Sequence, residues 1–236
     1  MPILEKTLVV VPARGGSKRI PKKNIRPIAG KPMIGWPLSV LSDVFPPERI
    51  LLSTDSEDIK AVAREYGVSA PFTRPEHLAN DFAATMEVVT HALEWYEQNV
   101  ERVDYVLVVY PTAVLIDRDD VSRAIAKLEA DPSVSIVFSA TEFGYPIQRA
   151  FFLNEEEKVR MFQPEHYSSR SQDLVKAYHD AGQFYYCRAE VVRRGERLIS
   201  DNAAIVELPR WRVVDIDTED DLKLAEIILE GTRPSA

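Results

Sequence analysis

Short apolar runs alternate with longer amphipathic stretches along most of this chain, and that alternation restricts its fold more than any other feature. The short runs, rich in valine, leucine and isoleucine, are typical of strands buried on both faces. The longer stretches repeat apolar residues at helical spacing. Strands that alternate with helices predict an α/β fold with a mostly parallel sheet. The 236 residues, 45% of them hydrophobic, suffice for one such core.

The pattern also predicts where these elements begin and end. Strands are expected where apolar residues run together between turn residues, and helices where a capping residue or a proline precedes the helical period. The predicted strands are residues 8–11, 50–53, 105–109, 134–138, 183–186, 203–206 and 213–216. The predicted helices run from Pro32 through Leu41, from Asp55 or Ser56 to Gly67, over 85–98 and 119–130, and from a cap at Thr218 through Ile228.

The alternation breaks over residues 143–180. This segment mixes charges with Pro146, Pro164 and serine-rich turns. Such a composition is typical of a loop or hairpin outside the main sheet. We therefore predict one domain spanning residues 1–236, with residues 143–180 inserted in it as an arm or hairpin.

Composition disfavours several classes of protein. A net charge of −8 argues against a general nucleic-acid binder, which needs a broad basic surface. Cys187 is the one cysteine and the four histidines lack ligand spacing, so disulfides and cysteine-cluster metal sites are excluded. No apolar run has the length of a membrane span, and no charged leader with a cleavage site is present. We expect a cytoplasmic protein that binds neither nucleic acid nor membrane.

A basic glycine loop directly follows the first predicted strand. Between Arg14 and Lys31 the chain has seven basic residues and no acidic one, although acidic residues outnumber basic ones 37 to 29 overall. Loops at the carboxyl ends of parallel strands line the ligand crevice of α/β sheets. Glycines permit positive φ and close approach of N–H groups to phosphate oxygens, while Arg14 and Lys22 neutralise charge. The loop predicts a polyphosphate site, with a solvated basic loop as the alternative.

Two aspartates near the C-terminus predict a metal site. Asp215 and Asp217 flank Ile216 at the end of a predicted strand, where alternate side chains point to the same face. Hard oxygen ligands suit Mg²⁺, which completes its coordination with water and substrate phosphates. The alternative is that Asp215 ends the strand and Asp217 helps to cap the next helix.

The run from Pro12 to Asn24 resembles the signature loop of the CMP-sugar synthetases, which include N-acylneuraminate, KDO and pseudaminic acid cytidylyltransferases. The resemblance continues in order through residues 53–55, 74–81, 111–112 and 215–218. It implies a Rossmann-like, mostly parallel twisted sheet with helices on both faces, of the nucleotide-diphospho-sugar transferase type. It also implies Mg²⁺-dependent transfer of CMP from CTP to an acidic sugar, in a homodimer to which the arm contributes.

The resemblance assigns roles to residues in the matching segments. Arg74 is expected to read the cytosine base, with a surface ion pair as the alternative, and Asp81 either orients its loop or caps the next helix. The expected catalytic residues are Arg14, Lys22 and Asp217, and the expected metal ligands are Asp215 and Asp217. The expected nucleotide-binding residues are Ala13, Arg14, Gly15, Gly16, Ser17, Lys22, Asn24, Arg74, Asp81 and Thr85.

The identity of the sugar depends on departures from the sialic acid pattern. Sialic acid members often carry glutamine after the central strand, whereas this chain has Tyr110, and that difference disfavours N-acetylneuraminate. Residues 143–150 and 179–185 resemble the pseudaminic acid branch, so pseudaminic acid is the predicted substrate. An arginine or amide could hold its carboxylate. The expected sugar-binding residues are Tyr110, Thr112, Gln148, Arg149 and Gln183.

Other functions stay open on the sequence alone. Within the family, the acceptor could be an N-acylneuraminate or KDO. A nucleotide-binding protein without catalysis is disfavoured because Arg14, Lys22, Asp215 and Asp217 are all present. A dehydrogenase is disfavoured because the chain lacks the G-x-G-x-x-G fingerprint, and a Walker A loop is missing as well.

Overall fold

A computed structural model describes residues 2–232 of the chain. No helix in this range is long and apolar enough to cross a membrane. The strands are β1 (Thr7–Pro12), β2 (Pro27–Ile28), β3 (Lys31–Pro32), β4 (Ile50–Ser53), β5 (Tyr105–Val109), β6 (Ile136–Glu142), β7 (Phe151–Leu153), β8 (Val159–Met161), β9 (Tyr178–Arg188) and β10 (Ala203–Glu207). The helices are α1 (Pro2–Glu5), α2 (Gly35–Val44), α3 (Glu57–Glu65), α4 (Thr85–Asn99), α5 (Arg118–Ala130), α6 (Ala189–Arg193) and α7 (Glu219–Thr232).

The central sheet confirms the predicted mostly parallel α/β fold. Within the described residues its strand order is β10-β6-β9-β5-β1-β4. Only β9 runs antiparallel to its neighbours, and the pairs β1–β4, β1–β5 and β6–β10 are parallel. The carboxyl ends of β4, β1 and β5 therefore meet at one edge of the sheet. The segments that follow these strands lie together at that edge, where open α/β sheets bind ligands.

Both faces of the sheet are covered, which explains the nearly continuous apolar runs. Val9 and Val11 of β1 pack in a cluster with residues of α2, α3 and α5. Leu8 and Val10, which point the opposite way, pack in a second cluster with residues of α4 and α6. All four side chains are fully buried. Burial on both faces removes the apolar–polar alternation of a half-exposed strand.

Several predicted helix boundaries are confirmed. The Ser56 side chain caps α3 by accepting a hydrogen bond from the Ile59 N–H at 3.4 Å. Gly67, just past the helix, has φ +74°, a value that favours glycine. Thr218 Oγ1 accepts from the Asp221 N–H at 3.3 Å at the start of α7. These local signals fix the helix ends independently of the sheet.

The structure corrects the prediction for Pro32. This residue pairs with Pro27 in the β2–β3 hairpin, and α2 begins only at Gly35. The turn between the two short strands contains Ala29 and Gly30, both with positive φ. The tight hairpin holds Pro32 in extended backbone, so it cannot occupy a first helical turn.

The predicted strand at residues 213–216 is also wrong. This segment joins no ladder of the sheet. Ile216 instead packs in a third apolar cluster with Ile28 of the β2–β3 hairpin and with Leu222 of α7. An extended segment with alternating apolar residues looks the same in sequence whether it pairs with a strand or packs against a hairpin.

The segment predicted to leave the sheet forms an exposed hairpin. Strands β7 and β8 pair antiparallel, with Phe151 opposite Met161. The prediction set the end of the segment too late, because β9 already begins at Tyr178. Several large apolar side chains of the arm are exposed, among them Phe151, Phe152, Leu153, Val159 and Phe162.

We expect Gly35→Ala to lower the free energy of unfolding by about 1–2 kcal/mol, because overpacking forces neighbours to move. A Cβ at Gly35 would lie 2.5 Å from Tyr66 Cζ. Gly231→Ala is the matched control, since a Cβ there meets nothing within 4 Å. The control is expected to be neutral or to stabilise by up to about 1 kcal/mol, as alanine favours the helix. Urea unfolding of both variants measures the difference, and equal effects would contradict this packing.

Candidate active site

A cavity of about 320 Å³ opens where β1 and β5 end. Pro12, Tyr110, Pro111 and Thr112 supply the strand-end part of its wall. Five cationic side chains face it against two carboxylates among the described lining residues, so its interior attracts anions. The cationic residues are Arg14, Lys18, Arg19, Lys23 and Arg74, and the acidic ones are Asp81 and Asp217.

The glycine loop is held at the cavity by its own hydrogen bonds. The Gly15 N–H donates to Asp55 Oδ1 at 2.8 Å, and Asn24 Nδ2 donates to the Arg14 carbonyl at 2.8 Å. A Cβ at Gly15 would lie 3.0 Å from Ser56 Cβ, so the close approach of the α3 N-terminus favours glycine here. Neither Gly15 nor Gly16 has positive φ, which corrects part of the sequence argument.

Carboxylates from outside the loop pair with its cations in the cavity. Arg14 Nη1 lies 2.6 Å from Asp81 Oδ1, and Lys18 Nζ lies 2.5 Å from Asp81 Oδ2. Hydrogen bonds from Lys18 and Arg14 hold the pKa of Asp81 below its usual value. Arg19 and Lys23 contact Asp217 at 2.9 and 3.1 Å. Arg14 and Asp217, the two ends of the predicted site, thus line one cavity.

The structure places Lys22 outside this cavity and Lys23 inside it. Lys22 has φ 52° and its Nζ lies 2.7 Å from Asp58 Oδ2. Lys23 Nζ donates to the Ile216 carbonyl at 2.7 Å, besides contacting Asp217. The left-handed backbone at Lys22 is a local feature that composition does not reveal. The prediction that Lys22 lies in the phosphate site is therefore corrected. Lys23 lies in the cavity where Lys22 was expected.

Arg74 is a buried cation at the cavity, not a surface ion pair. Its Nε donates to Ser53 Oγ at 3.1 Å and its Nη2 donates to the Ser53 carbonyl at 2.5 Å. Burial lowers the pKa of Arg74 to about 10, so the group stays cationic at neutral pH. A guanidinium fixed in this way can offer its remaining N–H groups to a ligand.

A polar cluster surrounds Tyr110. Tyr110 Oη lies 3.0 Å from Thr85 Oγ1, and burial raises the pKa of Tyr110, so its hydroxyl stays protonated at neutral pH. Asp180 accepts hydrogen bonds from the Tyr185 hydroxyl and from the Gly182 N–H. Burial raises the pKa of Asp180, and the nearby Asp215 carboxylate adds to the effect. Asp180 was not among the predicted site residues, although it lies within the segment 179–185 that suggested the substrate.

Three predicted sugar-binding residues and four predicted nucleotide-binding residues, Lys22 among them, lie off the cavity. Tyr110 and Thr112 line it together with Ser17, Asn24 and Thr85. Gln148 Nε2 donates to the Val175 carbonyl in the arm, Arg149 is exposed there, and Gln183 Nε2 donates to the Arg212 carbonyl. Ala13, Gly15 and Gly16 shape the loop without lining the cavity.

The aspartate pair fits a magnesium ion. Asp215 and Asp217 flank Ile216, and partial burial and the neighbouring Asp217 carboxylate raise the pKa of Asp215. In the described part of the chain, no cluster of three or more His, Cys, Asp or Glu side chains could hold a metal. Mg²⁺ needs no such cluster, because one or two carboxylates with water and phosphate oxygens suffice.

This fold and this anion-attracting cavity agree with the comparisons with known proteins. Residues 8–209 match the family model described as cytidylyltransferase. The chain belongs to the cytidylyltransferase family. It is therefore a CTP-using nucleotidyltransferase, and the cavity is its candidate active site.

Individual proteins resemble this chain in sequence or in fold. A pseudaminic acid cytidylyltransferase of Campylobacter jejuni subsp. jejuni is 43% identical over 98% of this chain and 99% of its own length. A Helicobacter pylori protein is 33% identical over 89% of this chain, which spans 40% of that protein. That protein is a pseudaminic acid cytidylyltransferase and UDP-2,4-diacetamido-2,4,6-trideoxy-beta-L-altropyranose hydrolase. CMP:2-keto-3-deoxy-manno-octonic acid synthetase complexed with CTP shares the fold, with TM-score 0.67, 18% identity, and coverage of 97% of this chain and 100% of the other.

Proposed function

We propose that this cytidylyltransferase transfers CMP from CTP to the anomeric hydroxyl of pseudaminic acid and releases pyrophosphate. The observation that carries the choice of acceptor is the 43% identity to a pseudaminic acid enzyme over almost the full length of both chains. Tyr110 on the cavity wall supports it, because this residue replaces the glutamine often found in sialic acid enzymes. N-acylneuraminate and KDO are the alternative acceptors.

The cavity side chains suit a triphosphate. Arg14, Lys18, Arg19 and Lys23 would neutralise its charge, and their fixed positions make this stabilisation available without reorganisation of water. Arg74, buried on the same wall, would bind the cytosine base through the N–H groups left free by Ser53. Tyr110, whose hydroxyl contacts Thr85, would then face the acceptor sugar.

The reaction needs positioning more than a chemical group from the protein. The anomeric oxygen forms a bond to the α-phosphorus, the bond from that phosphorus to the pyrophosphate oxygen breaks, and the hydroxyl proton goes to water. Cations of the loop hold the leaving pyrophosphate, and the cavity wall aligns the two substrates. No covalent intermediate on the protein is required.

Asp215 and Asp217 would hold Mg²⁺, which when bound polarises phosphate oxygens and lowers the pKa of a bound hydroxyl. The ion pairs of Arg19 and Lys23 to Asp217 show that this carboxylate faces cations in the cavity. Once a triphosphate attracts these two side chains, Asp217 is available as an oxygen ligand. The magnesium requirement is a proposal from this donor set.

The exposed apolar side chains of the arm favour a homodimer as the assembly of this protein. Its exposed apolar side chains Phe151, Phe152 and Phe162 would be covered by a second copy. Gln148 and Arg149, which lie off their own cavity, would then reach the cavity of the partner and bind the sugar carboxylate there. The cytoplasmic location stays a prediction from the sequence.

The test is an acceptor panel. The purified chain is incubated with CTP, Mg²⁺ and one of pseudaminic acid, N-acetylneuraminate or KDO, and CMP-sugar is measured by mass spectrometry. We expect kcat/KM for pseudaminic acid to exceed the others by about 100-fold, a difference that a few pocket contacts can supply. A higher kcat/KM for N-acetylneuraminate or KDO would contradict pseudaminic acid as the acceptor. CTP binding without turnover of any of the three acids would support a nucleotide-binding protein without catalysis.

A further inference from the structure

Asp81 occupies an unusual position for an acid in a cavity that attracts anions. Each of its two carboxylate oxygens contacts one cation of the glycine loop, Oδ1 with Arg14 at 2.6 Å and Oδ2 with Lys18 at 2.5 Å. All three residues line the cavity. Two oxygens that share negative charge and meet separate cations form the contact that a phosphate group would make with the same side chains.

The turn that carries Asp81 does not depend on these ion pairs. Asn80 Oδ1 accepts hydrogen bonds from the N–H groups of Phe82 and Ala83 at 2.8 and 2.9 Å. Asn80 Nδ2 donates to the His77 carbonyl at 2.8 Å. Because Asn80 fixes the turn, the Asp81 carboxylate can release its cations without loss of the turn.

We infer that Asp81 is an internal competitor of phosphate, which occupies Arg14 and Lys18 in the empty site and sets how tightly pyrophosphate binds. This inference rests on the proposed function, in which the loop holds the β- and γ-phosphates of CTP. A polyphosphate displaces Asp81 because it carries more charge than one carboxylate. Because a ligand must first break the ion pairs of Asp81, the carboxylate lowers the affinity of every ligand that needs Arg14 and Lys18. The carboxylate contacts the two cations again when pyrophosphate leaves.

This role is opposite to that of an ordinary nucleotide-binding residue. A side chain that binds or orients the nucleotide weakens binding when it is removed. A competitor strengthens binding when it is removed, because the ligand no longer displaces it. The two roles therefore predict opposite signs for the same substitution.

The test measures binding of inorganic pyrophosphate to the full chain by calorimetry, without CTP or acceptor. Asp81→Asn is expected to tighten pyrophosphate binding about tenfold, the size of one charge-assisted contact. The matched control is Asp58→Asn, because Asp58 pairs with Lys22 on the same loop but outside the cavity. The control removes the same charge and is expected to change the affinity less than about twofold, as solvent screens it.

Two further variants test whether the tighter pyrophosphate binding comes from release of Lys18 by Asp81. Lys18→Ala in the Asp81→Asn background is expected to remove most of the tightening, since the freed cation is then missing. Asp81→Ser serves as a second substitution at the same position if Asp81→Asn does not fold, with circular dichroism and thermal unfolding as the check.

Unchanged or weaker pyrophosphate binding in Asp81→Asn, with normal binding by the unsubstituted chain, would overturn the inference and leave the proposed reaction standing. Tightening in the Asp58→Asn control to the same degree would also overturn it, because general charge would then explain the gain. If neither the unsubstituted chain nor Asp81→Asn bound pyrophosphate, both the inference and the proposed phosphate site would fail.

Discussion

Asp217→Asn is expected to lower kcat about 10³-fold, the upper range for loss of one preorganised electrostatic contact. Asp217 is the acid of the predicted metal pair that lines the cavity, and it lies within reach of Arg19 and Lys23. Asparagine keeps a similar shape and an acceptor oxygen but loses the charge that would bind Mg²⁺. Steady-state rates of pyrophosphate release with CTP, Mg²⁺ and pseudaminic acid measure the effect.

The fold is expected to survive this substitution. The Asp217 N–H, which donates to Asp221 Oδ2 at 3.1 Å, is unchanged by it. Loss of partly exposed ion pairs costs at most about 1 kcal/mol of the free energy of unfolding. Asp220→Asn is the control, because Asp220 is an exposed acid on the first turn of α7 and its carboxylate lies 3.7 Å from Lys223. Full activity of Asp217→Asn, or equal losses in both variants, would contradict the role given to Asp217.

Lys23→Ala is expected to reduce kcat/KM for CTP about 10²-fold, as for removal of one fixed charge at a developing anion. Lys23 Nζ is the less exposed of the two cations that contact Asp217, and it also donates to the Ile216 carbonyl. Its loss removes a cavity charge and loosens the segment that carries Asp217. Initial rates at varied CTP separate KM from kcat.

Lys22→Ala is the matched control, one residue away on the same loop. Its side chain is largely exposed and pairs with Asp58 outside the cavity, so a change below about threefold is expected. Thermal unfolding of both variants checks that the loop stays folded. A large loss with Lys22→Ala and a small one with Lys23→Ala would contradict the structure and favour the assignment made from the sequence.

The parts of the fold that the sequence predicted are those with local causes. Strands β1, β4 and β5 are short apolar runs because both faces of the sheet are covered, and such runs are visible in any sequence. The start of α3 at Ser56 and its end at Gly67 follow from capping chemistry within a few residues. Local patterns of this kind do not require knowledge of the tertiary structure.

Features that depend on distant segments were not predictable in this way. Strand β9 lies between β5 and β6 and runs antiparallel to both, although its own sequence gives no sign of direction or neighbour. Residues 213–216 are extended but pack against the β2–β3 hairpin, so their apolar spacing predicted a strand that does not exist. Tertiary packing decided both outcomes.

In the candidate site, too, local sequence predicted some features, and others depend on the tertiary structure. The charge of the glycine loop and its position after β1 predicted an anion site. The cavity contains Arg14 together with Asp217, which lies about 200 residues further along the chain. The choice between Lys22 and Lys23 depends on one left-handed residue, and the pairing of Asp81 with two loop cations depends on a turn fixed by Asn80. Such details are set by backbone geometry and not by residue type.

A crystal structure of the chain soaked with CTP and Mg²⁺, without acceptor, tests the central claim most directly. The claim is that one cavity holds the triphosphate between the loop cations and the aspartate near α7. We expect phosphate oxygens within hydrogen-bonding distance of Arg14 and Lys18, with a metal on Asp217 facing the same phosphates. A triphosphate bound elsewhere, or one that contacts Arg14 while Asp217 faces a separate region, would contradict the account.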